Sequence, residues 1–133
     1  MLKLTKRVEY SLIALSHMQN MMDSEKLSTS KEIAQKYSLP KEILAKSLQQ
    51  LAKLGIIDAV KGSQGGYRVK DSLNDVNFMD FIESIEGPQG LVGCSMDLDC
   101  TIIDVCNIRQ PINTINKNLK TMFSNISIGE ITK

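Results

Sequence analysis

The chain predicts a mainly α-helical fold that carries one small β-hairpin and closes on a long C-terminal helix. Three observations lead there. Apolar residues recur at helical spacing through much of the chain, as at Val8, Leu12, Leu15 and Met18. Residues 56–70 instead hold two strand-like runs around Gly62-Ser63-Gln64-Gly65-Gly66. Near the end, Ile112, Ile115, Leu119, Met122 and Ile126 draw a stripe with nearly heptad spacing. At 133 residues the chain has the length of one domain and enough apolar residues for its own core.

The elements follow in order. A first helix runs from Val8 to about Met22, with Ile13 and Ala14 widening its apolar side, and Asp23-Ser24-Glu25-Lys26 forms a polar loop. Thr29 followed by Glu32 fits a capping box for a short second helix lined by Ile33, Ala34 and Tyr37. Ser38-Leu39-Pro40 breaks it, and Pro40 opens a third helix at the cost only of an amide that would be unpaired anyway. Leu44, Leu48 and Leu51 form the inward stripe of that helix, widened by Ile43 and Leu54, and Gly55 caps it. Lys41, Glu42, Lys46, Gln49, Gln50 and Lys53 are left for its other face. Strand-like residues Ile56 to Lys61 and Tyr67 to Lys70 flank the glycine-rich turn. Asn77 or Asp75 caps a fourth helix bearing Phe78, Phe81, Ile82 and Ile85, which Gly87 ends, and Pro111 opens the last helix.

Two short helices joined by a tight turn, then a hairpin with a glycine-rich tip, is the plan of a winged helix-turn-helix. In that plan the second helix of the pair enters the DNA major groove and the hairpin touches the flanking backbone or minor groove. Residues 1–75 would form this unit. Residues 76–133, with the long helix as a dimerisation element, would complete one compact body. Winged helices also serve as protein-contact modules, so the plan alone does not name a partner.

Charge is unevenly distributed. Residues 31–70 hold eight Lys or Arg against three Asp or Glu, whereas residues 71–106 hold eight Asp or Glu and no Lys or Arg. A basic block suits a polyanion, and the acidic block that follows suits another task. No apolar run is long enough to span a bilayer, and the charged opening Lys3 to Arg7 is unlike a signal peptide. The expectation is a cytoplasmic protein whose thiols stay reduced.

The acidic block contains all the cysteines. Cys94, Cys100 and Cys106 stand at one repeated interval in a stretch marked by Gly87, Pro88, Gly90 and Asp99. Thiolates are soft anionic ligands for iron–sulfur clusters and zinc, and a loop lets several converge on one centre. An odd number argues against a closed set of disulfides, and three is one short of the usual four ligands. One or two buried structural cysteines and a stray thiol are the simpler alternative.

Together these residues resemble the bacterial winged-helix regulators that include the iron–sulfur regulator IscR and the nitric oxide sensor NsrR. The resemblance covers nearly the whole chain. It rests on Leu4-Thr5-Lys6, the wing Gly62-Ser63-Gln64-Gly65-Gly66-Tyr67, the three spaced cysteines, and the ending Asn125-Ile126-Ser127-Ile128-Gly129-Glu130-Ile131. It implies a homodimer exchanging its C-terminal helices, with a 2Fe–2S or 4Fe–4S cluster on Cys94, Cys100 and Cys106 that controls binding to operator DNA. The cluster-assembly regulator has a His where this chain has Arg109, which stays protonated and cannot bind iron. The nitric oxide sensor resembles this chain in placing a carboxylate on the first helix, here Glu9, which makes Glu9 the candidate fourth ligand. A redox-sensing relative adds a His where this chain has Ile13. Asp97, Asp99, Asp104 and His17 stand behind Glu9, although His17 reads more simply as a helix-surface histidine. Water, an exogenous thiol or an open position is also compatible with three cysteines.

The family's Ser-x-x-Glu-Gln reading pattern is not kept: Glu42, Ala45 and Lys46 occupy those positions, which implies a different operator. Lys46 and Gln49 are placed for bases, while Lys41, Lys53 and Lys61 are placed for phosphates, with Ser63, Gln64, Gly65, Gly66 and Tyr67 forming the wing. The expected function is a homodimeric, cluster-controlled regulator of transcription, a repressor, sensing cluster supply, oxidation or nitric oxide. A zinc- or thiol-based regulator and an iron–sulfur carrier or protein-interaction module are the alternatives. One His, no P-loop and no nucleophile–base constellation leave an enzyme least favoured.

Overall fold

A computed structural model of the chain describes residues 3–24, 26–70, 72–90 and 107–132. The first helix, α1 (Lys6–Asn20), starts ahead of Val8 because Thr5 sets its beginning: the Thr5 Oγ1 accepts the Val8 amide at 3.3 Å. α2 (Ser30–Tyr37) is capped by Thr29, whose Oγ1 accepts the Glu32 amide at 3.1 Å. It ends at Ser38, which turns into the left-handed region at φ 55° and lets the Leu39 amide reach the Ala34 carbonyl at 2.9 Å. Pro40 then enters α3 (Lys41–Lys53) at φ −62°.

The end of α3 shows why Gly55 is there. The Ile56 amide bonds the Leu51 carbonyl and the Gly55 amide bonds the Ala52 carbonyl, each at 3.1 Å, with Gly55 at φ +78°. This paired cap needs a left-handed residue, which glycine supplies without steric cost. Strands β1 (Ile57–Val60) and β2 (Gly66–Val69) pair antiparallel from Ile57 opposite Val69 to Val60 opposite Gly66. Ser28 adds a further rung: its amide reaches the Tyr67 carbonyl at 2.9 Å and its carbonyl accepts the Tyr67 amide at 2.7 Å. A Cβ on Gly66 would lie 2.8 Å from the Ser28 carbonyl oxygen, so the absence of a side chain there permits the rung.

Asn77 is the cap of α4 (Phe78–Glu86), accepting the Asp80 amide on Oδ1 at 2.8 Å. α5 (Arg109–Ser124) begins before Pro111, which sits in the first turn, where its missing amide costs no helical bond. A short α6 (Ile128–Ile131), too brief to show a period in sequence, follows with Ser127 as its cap. The chain returns to the front of α4 here: Phe78 donates to the Ile126 carbonyl and Ile128 to the Val76 carbonyl, both at 2.8 Å.

α1 packs across α3, α2 closes on α3, and α4 lies against both α1 and α5. One buried apolar cluster runs from Leu15, Ile33, Leu44, Leu48 and Leu51 through Ile57 to Phe81, Ile82, Ile85 and Ile128. Truncating one of these, Leu48→Ala for example, removes contacts worth roughly 2–5 kcal/mol. Among the described residues, no helix is long and apolar enough to cross a membrane.

Candidate nucleic-acid interface

The buried stripe of α3 fixes what its other face shows. With Leu44, Ser47, Leu48 and Leu51 turned inward, Lys41, Glu42, Lys46, Gln49 and Lys53 are all exposed. Glu42, Lys46, Gln49 and Lys53 fall in one row along the helix, since residues three and four apart share a face. The fold therefore brings the predicted reading residues of α3 together on one solvent-facing strip. Pro40 contributes no side-chain bond to the start of α3, so the first amides of the helix add partial positive charge at its Lys41 end.

The hairpin presents a second surface. Lys61, Ser63 and Gln64 are exposed at its tip, where the Gly65 amide closes the turn on the Gly62 carbonyl at 3.1 Å. Gly65 cannot carry a side chain, because its Cβ would lie 2.1 Å from the Val60 carbonyl oxygen. Tyr67 differs from the other wing residues. It is half-buried, packed against the core, and held through both backbone groups by Ser28. Its ring supports the wing.

Three residues outside the predicted site are placed in ways the sequence did not show. Ile43, read from periodicity as part of the inward stripe, is 38% exposed in the first turn of α3. His17 is buried, a correction to its reading as a surface histidine. α2 covers it: His17 Nδ1 lies 3.0 Å from the Tyr37 hydroxyl, and Nε2 lies 3.8 Å from Glu32 Oε1 with no hydrogen-bond partner. Burial pushes its pKa below the usual imidazole value, the nearby Lys36 ammonium adds to that, and Glu32 opposes it. Gln50, on the edge of α3 turned toward α1, accepts a hydrogen bond from the Arg7 guanidinium. Pairwise contacts of this kind leave no periodic trace; only the packing of α1 and α2 on α3 brings them out.

The predicted cluster ligands divide. Cys94, Cys100 and Cys106, with Asp97, Asp99 and Asp104, lie outside the described residues. Glu9 lies in the first turn of α1, its side chain 41% exposed and its Oε2 3.1 Å from the Lys6 ammonium. The hydrogen bond from Lys6, then the charge of Glu9, raises the Lys6 pKa. Beside Glu9, Thr5 Oγ1 donates to Glu86 Oε1 at 2.8 Å, tying the start of α1 to the end of α4. Among the described residues no group of three His, Cys, Asp or Glu side chains is placed to hold a metal ion.

Residues 4–133 match the Rrf2 family, described as iron-dependent transcriptional regulators. The chain belongs to the Rrf2 family. Its fold is that of solved Rrf2-type structures. CymR of B. subtilis, described as the global cysteine regulator of that organism, superposes with a TM-score of 0.75 at 21% identity, covering 99% of this chain and 97% of CymR. IscR of T. potens gives 0.69 at 21% identity, covering 97% of this chain and 85% of IscR. CymR of Staphylococcus aureus gives 0.73 at 17% identity, with 97% of each chain covered. The family is one of transcriptional regulators and not of enzymes.

Proposed function

We propose that this Rrf2-family chain is a homodimeric repressor whose affinity for operator DNA is controlled by an iron–sulfur cluster, 2Fe–2S or 4Fe–4S, on Cys94, Cys100 and Cys106. The observation that carries this reading is a joint one. A reading face on α3 and a glycine-tipped wing stand in the same short chain as three evenly spaced thiols. The donor set fits the group: three thiolates suit iron, and Glu9, half-exposed and paired among the described residues with the exposed Lys6, can exchange that partner for a metal. When bound, a cluster with one harder, weaker carboxylate ligand supplies an iron open to nitric oxide or oxygen.

The chain's own part is to carry that state to DNA. Lys46 and Gln49 approach base edges from the exposed row of α3, with Glu42 between them and the helix start. Lys41, Lys53 and Lys61 take phosphates, and Ser63 and Gln64 bring the tip of the wing to the backbone. Two copies set two such heads on two half-sites. Along α5 and just beyond its two ends, Ile112, Leu119 and Ile126 are half-buried, while Ile108, Ile115 and Met122 are 54%, 51% and 52% exposed. The two rows alternate at three and four residues, which is the seam one helix offers another. A thiol-based sensor without a cluster is the second reading, supported by the fold likeness to a protein described as a global cysteine regulator.

Anaerobic purification followed by native mass spectrometry separates these. The cluster reading expects a brown dimer carrying iron and sulfide, lost on Cys→Ala substitution at any of the three positions. A colourless protein with zinc or free thiols supports the second reading. A salt titration on a selected operator tests the DNA half. Lys61→Ala should lower affinity evenly and reduce the salt slope by about one, and Lys46→Ala should also relax base preference.

A further inference from the structure

The first turn of α3 holds an apolar side chain that the core does not use. Leu44, Leu48 and Leu51 belong to the buried cluster, and Leu39 and Ala52 pack against it from either end of the helix. Ile43 belongs to neither set and is 38% exposed, between the exposed Glu42 and, one turn on, the exposed Lys46. Its place in the helix is firmly set. Pro40 fixes the entry, and the Ile43 carbonyl accepts the Ser47 hydroxyl at 2.9 Å. A β-branched side chain in a helix keeps one strongly preferred rotamer, so Ile43 is a stiff apolar projection with little entropy to lose on contact.

In a helix-turn-helix, the residues at the start of the second helix are those that meet base edges. The major groove displays hydrogen-bonding groups and one apolar group, the 5-methyl of thymine. We infer that Ile43 packs on a thymine methyl in each half-site and so selects thymine there, beside the polar contacts of Glu42 and Lys46. This rests on α3 as the reading helix and adds a specificity residue to it. A carboxylate at position 42 sharpens the choice, since it accepts from cytosine or adenine amino groups and contributes no cation to the phosphates.

Removing single methyl groups from the DNA tests this directly. An operator selected by the purified dimer from random duplexes is resynthesised with one deoxyuridine in place of each thymidine in turn. One position per half-site should lose about fourfold in affinity, the worth of one buried methyl group. Ile43→Ala should bind the parent operator and its deoxyuridine version equally, with the salt slope unchanged. Alanine is the better helix former and the site is exposed, so the fold is retained. An operator without any deoxyuridine-sensitive position, or sensitivity that persists in Ile43→Ala, overturns the inference while leaving DNA binding intact. If no selected duplex binds with salt dependence, the reading-helix assignment falls, and the inference with it.

Discussion

The side-chain amide of Gln50 donates to the backbone carbonyl of Ile85 at 3.4 Å, joining α3 to the last turn of α4. That carbonyl has no partner within its own helix, so Gln50 meets a need as well as making a bridge. The other end of the same amide accepts from Arg7 on α1. Beyond α4 the chain passes through Gly87 and Pro88 to the segment with the cysteines. One side chain on α3 thus touches both the element that leads into that segment and the helix that carries Glu9.

Gln50→Leu removes both bonds while keeping bulk. Each hydrogen bond contributes about 0.5–1.5 kcal/mol, so urea denaturation should show a loss of that order. The more telling measurement is operator affinity with and without the cluster. The difference between the two states should shrink in Gln50→Leu. A variant as responsive as the parent contradicts a coupling role.

His17 gives a pH dependence with a definite sign. Its folded-state pKa is lowered, first by burial and then by Lys36, so the unfolded chain takes up a proton more readily. The stability it contributes is complete above the unfolded value of about 6.5 and is lost as pH falls below that. Glu32 opposes the shift, and the Tyr37 hydroxyl on Nδ1 suits the tautomer with its proton on Nε2, toward Glu32. Urea midpoints measured from pH 7.5 to 5.5 should decline in the parent and flatten in His17→Gln. Equal slopes in the two proteins would place the titration elsewhere.

Ile115→Asp addresses the dimer. Because Ile115 is half-exposed in the single chain, a charge there costs that chain little, whereas in a paired seam it would be buried without a partner. Sedimentation should find monomers where the parent gives dimers. A soluble dimer of unchanged affinity removes the seam assignment. Leu119→Asp is a poorer test, since Leu119 is half-buried already.

Glu9→Ala should leave the fold almost untouched. Its pair with Lys6, three residues away, is exposed to solvent and screened, so its loss changes stability little. Most of the iron should remain on the thiolates, with a changed absorption spectrum and a weaker link between cluster state and DNA affinity. An unaltered spectrum and unaltered nitric oxide reactivity would move the fourth ligand to Asp97, Asp99, Asp104 or His17. Of these His17 is the hardest to reach, being buried under α2.

Local chemistry made much of this architecture legible. Thr29, Pro40, Gly55 and Asn77 mark helix ends by bonds to neighbours in sequence, and each stands where such a bond forms or where an amide is not needed. The exposed face of α3 was legible for the same reason, since it is what remains when Leu44, Leu48 and Leu51 turn inward. Ile43, His17 and Gln50 were misread or passed over because their surroundings come from other elements. Periodicity places Ile43 beside the buried stripe, but among the described residues it stays 38% exposed and outside the core cluster. His17 looks like a surface residue until α2 folds over it. Gly66 had a visible role in a turn, but not as the place where Ser28 passes within 2.8 Å of a missing Cβ.

The clamp at the end of α5 has a mechanical consequence. Phe123 packs on Phe78, Lys120 pairs with Glu83 at 3.6 Å, and the chain beyond bonds back to the front of α4, all toward the C-terminal end of the helix. From Lys120 back to Arg109 the helix runs roughly 16 Å further, with Asn116 buried along the way. It is a lever with its fulcrum against α4 and its long arm ending at Arg109, three residues after Cys106 in the sequence. A tilt of about 5° at the fulcrum sweeps the tip through about 1.4 Å at that length. The same ratio runs backwards: a displacement of one bond length at the tip is delivered to α4 as a small rotation under high mechanical advantage, which a tightly packed core transmits instead of absorbing.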